Sequence, residues 1–348
     1  MAGGVSKQTL SIEYGMLQSR AAPRYLRGIQ DQVFNSLPTL KQFAMKVPRV
    51  AFAGGQRYMF VVDLSKGTGD LSYSDLDTVQ TARLDTETIG QIETKEYFAP
   101  AARSFRERDL HRGNLAVVDD AWAETLSKAM RRIADQLNSH IITDDGTGNS
   151  SKRLTGLPLW VAADPTAGTA AGISRVNNSG WRSTTTNNSN TIGNLLLNCR
   201  ALTTTLTFGN ESPDLILGNE AFRNALEGRY TNDLNHNLPV GRSAGEVVSG
   251  DGSVGMLFWR GIPVVCDKDW SQYGTSTGTG EAAFLRKDSF RLLQASSRAS
   301  TDGLFEFVER QRAPFQTAEQ AGVRAHLQLV CKELRKNGLL MNVGADAA

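Results

Sequence analysis

The 348-residue sequence predicts an α+β fold. One strong helical stripe and several period-two strands predict it, together with a hydrophilic excursion near the N-terminus that no interior would hold. The helix is the clearest element. Trp122, Leu126, Met130, Ile133, Leu137 and Ile141 recur at steps of three and four, which places them on one face of a helix over residues 121–142. Asp119 or Asp120 can cap its start, Glu124 and Lys128 make an i,i+4 pair, and Asp144-Asp145-Gly146 ends it. Such a helix is roughly 35 Å long and can brace a whole subunit.

The strands come before and after it. Across Arg57–Leu64 the residues Tyr58, Phe60, Val62 and Leu64 share one face, and a polar tip follows at Lys66-Gly67-Thr68-Gly69-Asp70. The chain returns through Gln91–Phe98, where Glu93, Lys95 and Glu96 leave little apolar face. A long polar hairpin is marginal alone in water, so the excursion over 51–98 points to neighbouring chains that fix it. Residues 1–50 build no core and read as an arm. Downstream, Asn177–Asn190 reads as an exposed loop. A second helix runs from about Asn190 to Gly209, Asp214–Leu217 is a buried strand, and a brief helix spans Glu220–Leu226. Met256–Val265, Ala282–Leu285 and Leu304–Arg310 read as strands, as does Val323–Cys331 with alternating burial; Gly338–Val343 is expected to close the sheet of these last strands.

Composition excludes several classes of function. A 40% hydrophobic and 21% charged chain is ordinary for a globular protein, and a net charge of +2 argues against a dedicated nucleic-acid binder. Cys199, Cys266 and Cys331 are far apart, without a CxxC, and read as buried small hydrophobes in a reducing compartment. No apolar run approaches the ~20 residues of a membrane span, and the N-terminus lacks the charged and apolar regions of a secretory signal. His140 and Asp144 have metal-compatible spacing but no further ligand near in sequence, so a helix-end histidine is the reading. The glycine loops at Gly54-Gly55 and Gly250–Gly255 lack the Lys-Ser/Thr of a phosphate loop, and no GxSxG occurs. We therefore expect no catalytic residues, no cofactor and no metal. Arg103, Arg106 and Arg108, interleaved with Glu107 and Asp109, favour ion pairing between subunits over contact with DNA.

The segment after the helix carries a resemblance. Gly156-Leu157, then Ala171-Gly172-Ile173 with Arg175, then Trp181-Arg182 stand in an order that resembles the major capsid protein family of tailed bacteriophages. In that family a second glycine is common where Ala171 stands. The resemblance covers about Arg57 to Val343 and rests more on the succession of elements than on the short motifs. It implies an N-terminal arm (1–50), an extended loop overlapping a neighbour (51–98), and a peripheral domain (99–189 and 299–348) carrying the spine helix. An axial domain (190–298) would cluster at hexamer and pentamer axes. The implied function is a structural shell subunit of an icosahedral head enclosing double-stranded DNA, located in the virion and assembled in the bacterial cytoplasm.

The implied partners are further copies of itself, a separate scaffolding protein, a portal, a decoration protein, and packaged DNA met without sequence readout; no membrane is involved. Tyr58, Phe60, Lys66, Asp70, Glu93, Lys95, Arg103, Arg106 and Arg108 are the candidate inter-subunit contacts. Some members cross-link a loop lysine to an asparagine; Lys66 at the loop tip is suggestive, but an unlinked shell is the expectation here. An encapsulin-type compartment, which shares the fold but holds protein cargo, is the alternative, and a soluble α+β enzyme a more distant one.

Overall fold

The computed structural model describes residues 37–52, 57–64, 86–104, 115–189, 192–234, 257–270, 279–295, 305–312 and 318–344. The expected contacts Lys66, Asp70, Arg106 and Arg108 lie outside these residues, and the side chains of Arg103 and Trp122 are likewise outside the description. The elements in chain order are α1 (Pro38–Lys46), β1 (Arg49–Phe52), β2 (Arg57–Asp63), β3 (Glu87–Glu93), β4 (Lys95–Ser104) and α2 (Leu115–Thr143). They continue with β5 (Thr169–Ala170), β6 (Ile173–Ser174), β7 (Thr184–Asn187), α3 (Leu195–Thr205), β8 (Leu215–Gly218) and α4 (Glu220–Leu234). The rest are β9 (Leu257–Trp259), β10 (Ile262–Cys266), β11 (Gly280–Leu285), β12 (Phe290–Ala295), β13 (Glu306–Arg312), β14 (Ala318–Cys331) and β15 (Gly338–Val343). Among the described residues no helix is long and apolar enough to cross a membrane.

The described residues group into two compact units. One holds 97–104, 115–135, 305–312 and 318–325; the other holds most of what remains. In the first unit β4 and β13 both pair with β14, and Leu126 of α2 packs on Ala101 and Ala321. Ala129, Ile133 and Val323 complete its core, while Met130 is half-buried. In the second unit Leu137 and Ile141 are fully buried, so of the stripe read from the sequence Ile133, Leu137 and Ile141 are buried while Leu126 and Met130 are half-buried. The helix begins at Leu115, earlier than 121. Asp119 and Asp120 therefore sit inside it instead of capping it.

The larger unit is organised by a six-stranded sheet in the order β7-β15-β11-β8-β10-β9. Every residue of β8, β11 and β15 is buried, Glu281 of β11 and Asn342 of β15 among otherwise apolar or small neighbours. Leu195, Cys199 and Leu202 of α3 and Phe222 and Leu226 of α4 pack on Ile216, Phe284 and Leu340 of this sheet. Three sequence readings are corrected here. Within the segment read as an exposed loop, Thr184–Asn187 forms β7, a strand parallel to β15, because backbone pairing outweighs the low apolar content. Gly338–Val343 closes this sheet through β11 and β7, and makes no pairing with β14. Finally, β1 is tied into a sheet parallel to β12, so part of the expected arm belongs to the body.

A buried polar knot secures α1. Asn138, fully buried on α2, accepts from Leu40 N–H at 2.9 Å and donates to Asp267 at 2.9 Å, and Thr39 donates to the same carboxylate oxygen at 2.7 Å. Complete mutual satisfaction makes such a network specific as well as stabilising. Cys199 and Cys331 are buried and Cys266 partly so; burial raises all three thiols to about 12, leaving them unreactive at neutral pH.

Candidate assembly surface

The β2–β3 hairpin is two-faced because its sequence alternates. Residues 57–63 pair with 93–87 in continuous antiparallel register. Phe60, Val62 and Ile92 turn to one face and are buried, each 8–9% exposed. Phe60 lies across Gly90, its direct partner, where a Cβ would meet the ring at 2.7 Å and push it aside. The ring then reaches Trp181 of the same chain, with centroids 6.3 Å apart. Phe60, expected to meet a neighbouring subunit, is thus an internal contact. Its face is the more apolar of the two, and Trp181 offers it a partner without help from another chain. Tyr58, beside it, is half-buried.

The opposite face is the free one. Met59, Val61 and Ile89 are 61–64% exposed, with Val61 directly opposite Ile89. Sequence reading missed this stripe, yet the signal was present. Residues 58–62 read Tyr-Met-Phe-Val-Val, apolar on both faces, which marks a strand covered on both sides. Charges flank the stripe at the hairpin base: Glu93 pairs with Arg57 at 3.2 Å and with Lys95 at 3.4 Å. The Lys95 ammonium, and then Arg57, hold the Glu93 carboxyl below its ordinary range. The Arg57 pair is exposed and adds little stability, whereas the Lys95 side chain is largely buried.

The base of the hairpin is fastened from below. Gln328, fully buried on β14, donates to Glu93 C=O at 2.7 Å and to Thr155 Oγ1 at 3.0 Å, and its carbonyl accepts from Thr155 N–H at 3.0 Å. His326 adds a 2.8 Å contact to Thr94. Gln328→Leu would keep the volume but orphan Thr155 N–H and remove the donor to Glu93 C=O. Its expected cost is about 2–3 kcal/mol in the unfolding free energy of the unassembled subunit.

The motif residues prove to be architecture. Gly156 runs over the last carbonyls of α2, close to His140 and Ile141 C=O, and donates to Asp144 C=O at 2.9 Å. Asp144 is engaged by Arg153 at 3.0 Å and by the amides of Gly146 and Gly148, while burial pushes the His140 imidazole down. Arg175, 4% exposed, donates to Leu159 C=O, and Trp181 Nε1 donates to Ala170 C=O at 3.1 Å. Arg182 donates to Arg175 C=O at 2.6 Å and to Val176 C=O at 2.8 Å. Each long side chain thus holds irregular backbone in place, and together they form the platform on which the hairpin rests: Ala171 C=O accepts from Gln91 N–H at 2.9 Å.

Ala171 and Gly172 make the two-residue turn between β5 and β6, with φ of 52° and 80°. An alanine Cβ is strained at the first position of this turn, where φ is positive. Ala171→Gly is expected to stabilise the subunit by about 0.5–1 kcal/mol, read as a raised denaturant midpoint.

No protein-family model matches the sequence, and no curated protein matches it. Solved structures do match, along nearly the whole chain. A chain of the cyanophage A-1(L) capsid asymmetric unit superposes with a TM-score of 0.63 at 17% identity, covering 92% of this chain and 97% of that one. The SrpI encapsulin of Synechococcus elongatus PCC 7942 gives 0.60 at 14% identity, with 94% and 95% covered. The capsid of a native GTA particle gives 0.56 at 13%, with 98% and 100% covered. The chain therefore has the fold of tailed-phage capsid proteins, a fold that an encapsulin shares.

Proposed function

We propose that this chain, built on the tailed-phage capsid fold, is a capsid-forming structural protein whose copies assemble into the pentamers and hexamers of an icosahedral head around double-stranded DNA. End-to-end likeness to subunits of closed particles carries the reading. The hairpin stripe of Met59, Val61 and Ile89, apolar side chains that a lone subunit leaves in water, supports it. Repeated many times over a lattice, one such contact per subunit adds to shell stability that no single pair would reach.

In this reading Tyr58, Lys66, Asp70, Glu93, Lys95, Arg103, Arg106 and Arg108 meet neighbouring copies around the stripe. Residues 190–298 form the axial domain, and 99–189 with 299–348 the peripheral one. The role is structural and not enzymatic. A separate scaffolding protein, a portal and a decoration protein complete the particle, which is assembled in the host cytoplasm and becomes the virion head.

Electron microscopy of the purified full-length chain, alone and with its co-expressed scaffold, tests the proposal. Closed particles of uniform size that protect double-stranded DNA from nuclease during infection support it. Uniform particles filled with a protein cargo would assign the encapsulin alternative. A chain that stays monomeric at high concentration in both preparations contradicts any shell function.

A further inference from the structure

Three buried polar groups of the platform have no hydrogen-bond partner among the described residues. They are Arg175 Nε, Trp160 Nε1 and Ser183 Oγ, on residues 4%, 0% and 4% exposed. The segments that carry them are tied to one another. Arg175 follows β6 and donates to the C=O of Leu159, the residue before Trp160 in the Leu157–Trp160 turn. Its own C=O accepts at 2.6 Å from Nε of Arg182, the residue before Ser183. Thr185 Oγ1, two residues beyond Ser183, donates at 2.9 Å to the C=O of Ala162, two residues beyond Trp160.

Charge is the second observation. Arg175 stands in no ion pair among the described residues, and a guanidinium stays charged at any ordinary pH. Burial pulls its pKa down, and Asp164 offsets this in part. Asp164 is exposed and already accepts from Thr166 N–H at 2.9 Å and Thr166 Oγ1 at 2.6 Å. A cation taken out of water without a counter-charge is strongly destabilising. A guanidinium N–H, an indole N–H and a hydroxyl together offer three donors and one positive charge. Water matches them poorly, because its oxygen accepts two bonds and brings two protons and no charge. A phosphate or sulfate carries more acceptor oxygens and more charge than this set balances. A monoatomic, monovalent anion accepts from all three and neutralises the guanidinium.

We propose that Arg175, Trp160 and Ser183 hold one buried halide, chloride under physiological conditions, as the counter-ion of the platform. The ion fastens the Leu157–Trp160 turn to the chain on both sides of Trp181, the residue on which the hairpin rests. The site lies within each subunit, so it goes beyond the shell reading and does not depend on it.

Chloride binding to the dispersed full-length subunit tests the site. With gluconate as the replaced anion at constant ionic strength, raising chloride from about 10 mM to about 300 mM should lift the thermal midpoint by about 2 °C. Bromide should act alike. The chloride NMR line should broaden when the protein is added and narrow again when bromide competes. Trp160→Phe with Ser183→Ala removes two donors and leaves Arg175, so half-saturation should move to about tenfold higher chloride and the broadening should vanish. Ser183→Ala alone, a smaller change, serves if the double variant does not fold, and should weaken binding about threefold. An equal midpoint in both salts with an unbroadened line overturns the proposal. Chloride binding that these variants leave unchanged overturns it as well, since the ion would then lie elsewhere.

Discussion

A subunit carrying Trp181→Ala should lose about 3–5 kcal/mol of stability, the largest single effect expected from any substitution in the platform. The indole is 1% exposed, packs against Phe60 of the hairpin, and satisfies Ala170 C=O through Nε1. Truncation leaves a cavity the size of the ring system, strips the Phe60 face of its contact, and orphans a buried carbonyl. The lost ring contact falls on the hairpin and the lost hydrogen bond on the platform, so a distinctive pattern follows. The denaturant midpoint of the unassembled subunit drops, and β2–β3 amides lose hydrogen-exchange protection by more than the global change. Trp181→Phe, which keeps much of the ring and loses only the donor, should recover more than half of the stability. A loss under about 1 kcal/mol with a fully protected hairpin would show that the hairpin is held elsewhere.

The second large effect is on assembly and leaves folding alone. Val61→Asp with Ile89→Asp places two carboxylates opposite each other on the outer face, where both side chains already stand in solvent. Cross-strand like charges cost the hairpin about 0.5–1 kcal/mol. Inside a dry inter-subunit contact the same two charges would each lose hydration without a partner, a cost of several kcal/mol per site repeated at every copy. The variant should therefore remain a folded subunit with a near-normal unfolding midpoint and yield no closed particles by sedimentation. Val61→Ala with Ile89→Ala should fall between. Particles of normal yield from the double aspartate would exclude this face from the contact.

These two results separate what the sequence made legible from what it did not. The α2 stripe was readable because 3.6-residue periodicity survives any tertiary arrangement, and Ile133, Leu137 and Ile141 are indeed the buried side of that helix. The hairpin strands were readable from their alternation, but Phe60, named as a contact with a neighbour, is buried within its own chain. Alternation tells which residues share a face; it does not tell which face the body covers. Trp181, more than a hundred residues downstream of Phe60, decides that, and only the fold brings the two together. Thr184–Asn187 was unreadable for a similar reason, since four polar residues become a strand when β15 offers a parallel edge. Gln328 lies in a half-polar strand where a glutamine looks solvated, and its burial follows from its partners Glu93 and Thr155. The motif order, by contrast, identified the fold correctly, and Gly156, Arg175, Trp181 and Arg182 each serve a local backbone need in it.

A cryo-EM reconstruction of particles assembled from the full-length wild-type chain tests the central claim most directly. The predicted map shows the Phe60 ring on Trp181 of its own subunit while Met59, Val61 and Ile89 are buried against another. A closed shell in which those three side chains stay in solvent, with no second copy within contact distance of β2, would contradict it.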